Sequence, residues 1–567
     1  MRLAIVSAAL LSLTLSSIAC KSPDPPSLAV SPETGPAVAS TIEEVLNTAR
    51  HPWLRWPDVA DVLPSLRNLY GAEADGLFWF SGGQPHAALT EAVDAIAGAE
   101  ERGLDPADYD AERIGTERKR LQEPAAMDWT ERTLFDLAVS IGVLREIQAV
   151  HSGRVDPRTL GWGFDVRPKK LDRTALLREA REGGGVTPLL DGLEPSYPHY
   201  RRNRKELARY RRLALAGEPE AVPSLPKERR KIEPGDSWDG VPQLDTRLRL
   251  FGDLSANTPA ASPLYDGALV DAVKRFQARH ILDADGIIGA ATIEAINVSH
   301  AQRVRQLELA MERGRWLPEI NERPTVFVNV PIFRLWASDP VRGEEPLRMN
   351  VVVGKSLSHN TPIFVQQMEH VVFRPYWNPP YGITTKEIVP HARRDASYLD
   401  RENFEIVASG ADGAPPLPET EENLDAVAAG RLYVRQKPGP RNSLGLAKFI
   451  FPNRENVYMH GTPAQQLFSR TRRDFSHGCI RLENPAKLAE WVLRDVPGWT
   501  RKRIEAAMQG ERPTRVTLKA PLRVVIFYDT VHVNSEGVVH FVGDIYGHDQ
   551  ALDQALARGY PYPEAGP

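Results

Sequence analysis

A chain of 567 residues, 42 % of them hydrophobic, is long enough for three or four domains that each bury a core. Its 70 basic and 74 acidic residues are intermixed and sum to −4, which excludes the basic footprint of a nucleic-acid-binding protein. Beyond the first 20 residues no stretch carries the roughly 20 consecutive apolar residues that a membrane-spanning helix needs.

The opening "MRLAIVSAALLSLTLSSIAC" places Arg2 before an apolar run that ends in small residues, the pattern of a secretory signal over 1–20. Its end resembles a bacterial lipoprotein signal. That implies lipidation of Cys20, export to the periplasm and a lipid anchor, with Lys21 favouring the outer membrane. Ser17 departs from the pattern, and a plain signal peptide or an uncleaved anchor is the alternative. Residues 21–41, rich in Pro and Ser, read as a flexible tether.

Residues 42–216 read as a helical scaffold. Leu89, Val93 and Ile96 recur at helical spacing before Gly103 and Asp105-Pro106, and "TERTLFDLAVSIGVLREIQAVHSG" makes a second apolar helix. The proline-rich, charged stretch 217–240 is expected to be a connector. A small module follows over 241–299, with Leu269, Val273 and Phe276 on one helix face, the turn "DADGIIG" and a short helix "AATIEAI". "AVKRFQ…DADGIIGAAT" resembles the peptidoglycan-binding module known as PG-binding domain 1, which implies contact with glycan strands; a bare three-helix scaffold is the alternative.

A linking helix is expected over 300–323, and the texture then turns to strands. "TVFVNVPIFRLWA", "RMNVVVGK", "HVVFRPYWNPP", "RLYVRQ", "AKFIFPN" and "NVYMHGT" alternate branched and aromatic residues. Asn484 and Pro485 mark the start of a helix after Cys479. The whole reads as a multidomain α+β protein: helical scaffold, three-helix module, and a mostly β domain over 324–548, a β-sandwich or open barrel. Residues 549–567 are expected to be a tail.

With Cys20 claimed by lipid, Cys479 is the chain's single remaining thiol. A thiol is mostly protonated near neutrality and needs a base or cation beside it to act as a nucleophile. His477 and His460 are the candidates, and His460, at a strand end, is preferred. Acyl transfer also needs donors for an oxyanion, which the backbone of His477, Gly478 and Cys479 can supply. Arg481 suits a substrate carboxylate or a loop lock. A zinc site lacks a second cysteine and any His-Glu-x-x-His spacing, so neither metal nor cofactor is expected.

"HGTPAQQLFSRTRRDFSHGCIRLEN" resembles the active-site signature of the L,D-transpeptidase (YkuD) catalytic domain: a histidine, about fifteen residues, then Ser-His-Gly-Cys. "ERGRWLP", "VNVPIFRLW", "FRPYWNPP" and "QKPGPRNSLGLAKFIFPN" are similar to the large Gram-negative members, and "LRNLYGAEADGLFWF" to their scaffold domain. The resemblance implies a cysteine acyltransferase of peptidoglycan biosynthesis and a carbapenem target. Cys479 would attack the third residue of a tetrapeptide stem, releasing D-alanine. An amine of a neighbouring stem would then resolve the thioester into a 3→3 cross-link. His460 would be the base, oriented by the Gly461 carbonyl, and Tyr458, Ser476, Arg481, Trp377 and Asn378 would line the substrate site. Residues of about 376–431 correspond to a lid-like insertion. A carboxypeptidase or a cleaving amidase using the same site, or a non-catalytic wall-binding lipoprotein, are the alternatives.

Overall fold

The computed structural model describes residues 35–565 except 72–75, 124–126, 167–170, 260–262, 319–321 and 357–358. Cys20, the leader and most of the expected tether lie outside the described residues; a helix over Pro36–Thr48 includes the last of the tether. Among the described residues no helix is long and apolar enough to cross a membrane.

The N-terminal helices close around α1 (Trp129–Ser152). Its apolar residues are not confined to one stripe, so it is buried on all sides as the centre of a bundle. Asp128 and Glu131 form a capping box at its start. The next long helix, α2 (Pro198–Ala216), leaves this bundle. Its buried residues Tyr200, Leu207 and Tyr210 join the core that contains α3 (His300–Trp316) and the β domain.

Three helices, Val241–Phe251, Gly267–Arg279 and Ala290–Ile296, make the small module. Gln277 staples its turn, accepting the Gly286 N–H at 2.9 Å and donating to the Ile287 carbonyl at 2.8 Å. The expected connector 217–240 is part of this module rather than a free link. Val222 and Ile232 are buried in its core, and Ile232 exchanges two backbone hydrogen bonds with Ile288. Burial of these isolated apolar residues outweighs the flexibility that the prolines and charges suggested.

Among the described residues the β domain is built on a nine-stranded sheet. In chain order its strands are β1 (Thr325–Asn329), β2 (Arg334–Ser338), β3 (Leu347–Gly354), β4 (Phe364–Phe373), β5 (Ala447–Ile450), β6 (Met459–His460), β7 (Asp474–Ser476), β8 (Ile480–Leu482) and β9 (Thr514–Phe527). They lie in the order β7-β3-β8-β6-β5-β4-β9-β1-β2, and β2 also pairs with β3, which closes the strands from β3 to β2 into a barrel with β7 added beside β3. Asn484 caps the following helix, α4 (Pro485–Val492), by accepting the Lys487 N–H. Between β4 and β5 the insertion has its own core (Ile388, Leu399, Phe404, Ile406, Leu424, Val434) and a three-stranded sheet that extends to Gln436.

The expected tail is also a correction. Its described part forms a helix over His548–Leu556, and Tyr560 then enters the α1 bundle. The Tyr560 hydroxyl meets that of Tyr109 at 3.2 Å, and the Arg145 guanidinium lies 4.5 Å from the Tyr560 ring centroid. Two large aromatics in "GYPYP" gain more by burial than the segment loses in freedom. Tyr560→Ala should therefore destabilise the chain by about 3 kcal/mol, read as a lower urea midpoint of the helical signal; an unchanged midpoint would show that the segment is not anchored.

Candidate active site

The pairing of β6 with β8 builds the site. The two strands are parallel, with Met459 opposite Ile480 and His460 opposite Arg481, and the Ile480 N–H donates to the Tyr458 carbonyl at 3.1 Å. Side chains alternate along a strand. Met459 and Ile480 fill the barrel core, so Tyr458, His460, Cys479 and Arg481 share the opposite face. Antiparallel β5 sets Lys448 directly opposite His460 on that face.

The turn between β7 and β8 presents the cysteine. Gly478 has φ +107, a region that L side chains rarely adopt. Ser476 Oγ donates to the Cys479 carbonyl at 2.5 Å and accepts the Gly478 N–H at 3.1 Å. Thr361 Oγ1 donates to the Gly478 carbonyl and accepts the Gly354 N–H, both at 2.8 Å. The Tyr546 hydroxyl donates to the Gly354 carbonyl at 2.6 Å. Ser476, buried beneath the turn, is thus a turn-former rather than a substrate contact. The Gly478 amide is already donated to Ser476 Oγ, at odds with its expected part in an oxyanion cradle.

His460 is buried, and its Nδ1–H donates to the Gly461 carbonyl at 2.5 Å, which leaves Nε2 as the ring's acceptor. A second glycine makes this possible: a Cβ on Gly445 (φ +63) would lie 2.6 Å from Thr462 N and 2.7 Å from Gly461 C. Burial pushes the His460 pKa down to about 3, with Arg481 adding to the effect and the Gly461 hydrogen bond opposing it. Burial pushes the Cys479 thiol up, opposed by hydrogen bonds with Tyr458 and by the charges of Lys448 and Arg481. Near neutral pH the Cys479 thiol and the His460 imidazole therefore both rest neutral.

Tyr458 joins the parts. Its ring lies 5.7 Å from that of His460, its side chain is hydrogen-bonded to both Cys479 and Trp377, and Lys448 Nζ sits 3.8 Å from its centroid. The indole of Trp377 can only donate in that contact. Burial also lowers the pKa of Lys448. Arg481 Nε is buried and without a hydrogen-bond partner among the described residues. Two expected residues lie apart from this group. The His477 ring is exposed and meets Glu387 of the insertion at 3.2 Å, and Asn378 donates its amide to the Gly410 carbonyl within the insertion.

Sequence reasoning missed Lys448, Thr361, Tyr546 and Asn442. Asn442 donates to the carbonyls of Pro375, Gln436 and Lys437 and ties the base of the insertion to the β5 approach. Only Lys448 left a signal, the alternation in "AKFI" that gives it a defined face once β5 is paired with β6.

Three regions of the chain match known protein families. Residues 323–519 match the L,D-transpeptidase catalytic domain, 64–207 the scaffold domain, and 238–296 a family described as "Putative peptidoglycan binding domain". A curated Haemophilus influenzae protein named "Putative L,D-transpeptidase" is 29 % identical over 252 residues, 44 % of this chain and 49 % of that protein, so the match spans about half the relative's length. A solved L,D-transpeptidase from Xylanimonas cellulosilytica is 14 % identical over 53 % of this chain and all of that one, but its TM-score of 0.16 carries no argument. The chain thus carries an L,D-transpeptidase catalytic domain together with a scaffold domain and a peptidoglycan-binding module.

Two predictions follow from the packing. Thr361→Val leaves both the Gly478 carbonyl and the Gly354 N–H without their partner and should cost about 1–3 kcal/mol, measured by urea denaturation, together with slower alkylation of Cys479; an unchanged rate would show that Thr361 does not hold the turn. Because the folded-state pKa of His460 is depressed to about 3, the unfolded chain binds more protons below the unfolded value near 6.5. Its contribution to stability should fall, by up to about 1.4 kcal/mol per pH unit, as pH drops from roughly 6.5 towards 3. His460→Gln should flatten that part of the curve; an unaltered slope would mean that the imidazole is not buried neutral.

Proposed function

We propose that this protein is a peptidoglycan L,D-transpeptidase that forms 3→3 cross-links through a thioester on Cys479. The observation that carries the reading is the shared face of Cys479, His460, Tyr458, Lys448 and Arg481, with His460 Nδ1 committed to a carbonyl and Nε2 left as acceptor. The matched catalytic and peptidoglycan-binding families support the substrate class.

The first half-reaction breaks one amide and forms one thioester. Cys479 Sγ attacks the carbonyl of the third stem residue as its proton passes to His460 Nε2. The amides of His477 and Cys479 meet the oxyanion, and Lys448, Tyr458 and Arg481 offset the charge passing through sulfur. Collapse expels D-alanine, whose amine takes the proton from His460. In the second half an amine of a neighbouring stem attacks the thioester and gives its proton to His460, and the thiol is restored. The insertion reaches the turn through Trp377 and Glu387, which supports a role in keeping water from the thioester. The scaffold, module and leader suit a wall enzyme exported to the periplasm and held by lipid on Cys20.

Purified disaccharide-tetrapeptide should yield a 3→3 dimer by mass spectrometry, and Cys479→Ala should yield none. Tripeptide and free D-alanine as the main products would instead make it a carboxypeptidase. His460→Ala should slow acylation by a carbapenem about 10²–10⁴-fold, whereas His477→Ala, which changes an exposed ring, should alter it far less. The reverse order would exchange their roles.

A further inference from the structure

A cleft of about 720 Å³ lies away from the cysteine face, between the three-helix module, α3 and the barrel. Ala291 and Ala295 line it from the module, Arg303 and Arg305 from α3, and Arg472 and Ile545 from the barrel side. That volume is within the range of pockets that enclose a drug-sized or larger ligand.

Arg303 is the unusual feature of its wall. It is only 6 % exposed, its guanidinium donates to Gln306 Oε1 at 2.8 Å and the Ala295 carbonyl at 2.9 Å, and it lies 4.5 Å from the Phe541 ring centroid. Among the described residues no carboxylate bears on its charge; the groups that do are Tyr210 and another cation, Arg279. Its basic neighbours are matched: Arg279 by Asp253 at 2.5 Å, Arg313 by Asp549 at 2.5 Å, Arg305 by Glu308 and Asp553, and Arg472 by Asp474. Asp544, also on the wall, is taken by the Tyr528 hydroxyl and the N–H groups of His548 and Asp549, while Glu294 is exposed on the rim. A buried guanidinium without a counter-charge is costly and invites an anion.

The same wall runs into the nucleophile turn. Thr471 donates to Asp283 of the module at 2.5 Å, and the chain continues through Arg472 into β7. Ser356 donates to the Ile545 carbonyl, and the next residue, Tyr546, holds Gly354 beneath the turn.

We propose that this cleft is a second peptidoglycan-binding site, taking an uncross-linked strand segment with a stem-peptide carboxylate against Arg303 and a sugar against Ala291, Ala295 and Ile545. The inference rests on the substrate class of the preceding section and adds where a strand is held while the cysteine works on a stem.

The full chain, with Cys479 alkylated by iodoacetamide to block the catalytic site, is titrated calorimetrically with purified disaccharide-tetrapeptide. One binding event should survive alkylation and weaken about tenfold in Arg303→Gln, and equally for the fragment with its carboxylates amidated. Because Arg303 is buried and its variant risks misfolding, Ala291→Trp fills the cleft from an exposed position. It should abolish this binding yet leave carbapenem acylation of the unalkylated protein unchanged. Loss of all binding on alkylation, undiminished binding by Ala291→Trp, or equal binding of the amidated fragment would overturn the proposal. Binding without cross-linking would sink the transpeptidase reading and leave the cleft standing, and cross-linking without this binding would do the opposite.

Discussion

The hydrogen bond from His460 Nδ1 to the Gly461 carbonyl is the contact on which the site's chemistry turns. It fixes the tautomer, and with it the nitrogen left to take a proton, without a carboxylate to hold that proton as charge. A carboxylate there would favour imidazolium. A carbonyl in a buried setting leaves the ring neutral and weakly basic, as the base role proposed for it requires. The contact is possible because Gly445 lets its loop approach Gly461 more closely than a side chain would allow.

Around that bond the fold supplies position by layers. Parallel pairing of β6 with β8 puts His460 and Cys479 on one face, with His460 in register with Arg481, and β5 brings a cation to the same face. The turn is held by Ser476 from within and by Thr361 and Tyr546 from the barrel. Tyr546 lies just before the helix that leads back into the α1 bundle at Tyr560, so the scaffold and the cysteine turn are joined through a short, packed path. Glu387 and Trp377 bring the insertion against this same small region.

The class of each domain was legible in the sequence because it depends on periodicity and short motifs. Helical spacing marked the bundle, strand alternation the barrel, and Asn484-Pro485 the start of α4. Cys479 and His460 stood out only jointly: a buried cysteine or a histidine at a strand end is ordinary by itself, but their occurrence together with Gly478 and Arg481 is not. Register is what the sequence hid. Lys448 joins the site only through pairing with a strand, Thr361 reaches Gly478 across 117 residues, and Tyr546 reaches Gly354 across 192. Ser476 and Gly478 were read from the motif as substrate and oxyanion contacts, whereas their hydrogen bonds are spent on each other and on the turn. The connector and tail misled for one reason: composition reports average flexibility, while Ile232 and Tyr560 act singly by burial.

A thiol raised by burial and an imidazole lowered by burial leave both groups neutral at rest. The pH titration of thiolate absorbance at 240 nm, taken as the difference between wild type and Cys479→Ala, tests this directly. The account predicts a midpoint above the ordinary thiol value of about 8.5. A midpoint well below neutrality would reveal a preformed thiolate–imidazolium pair and contradict it.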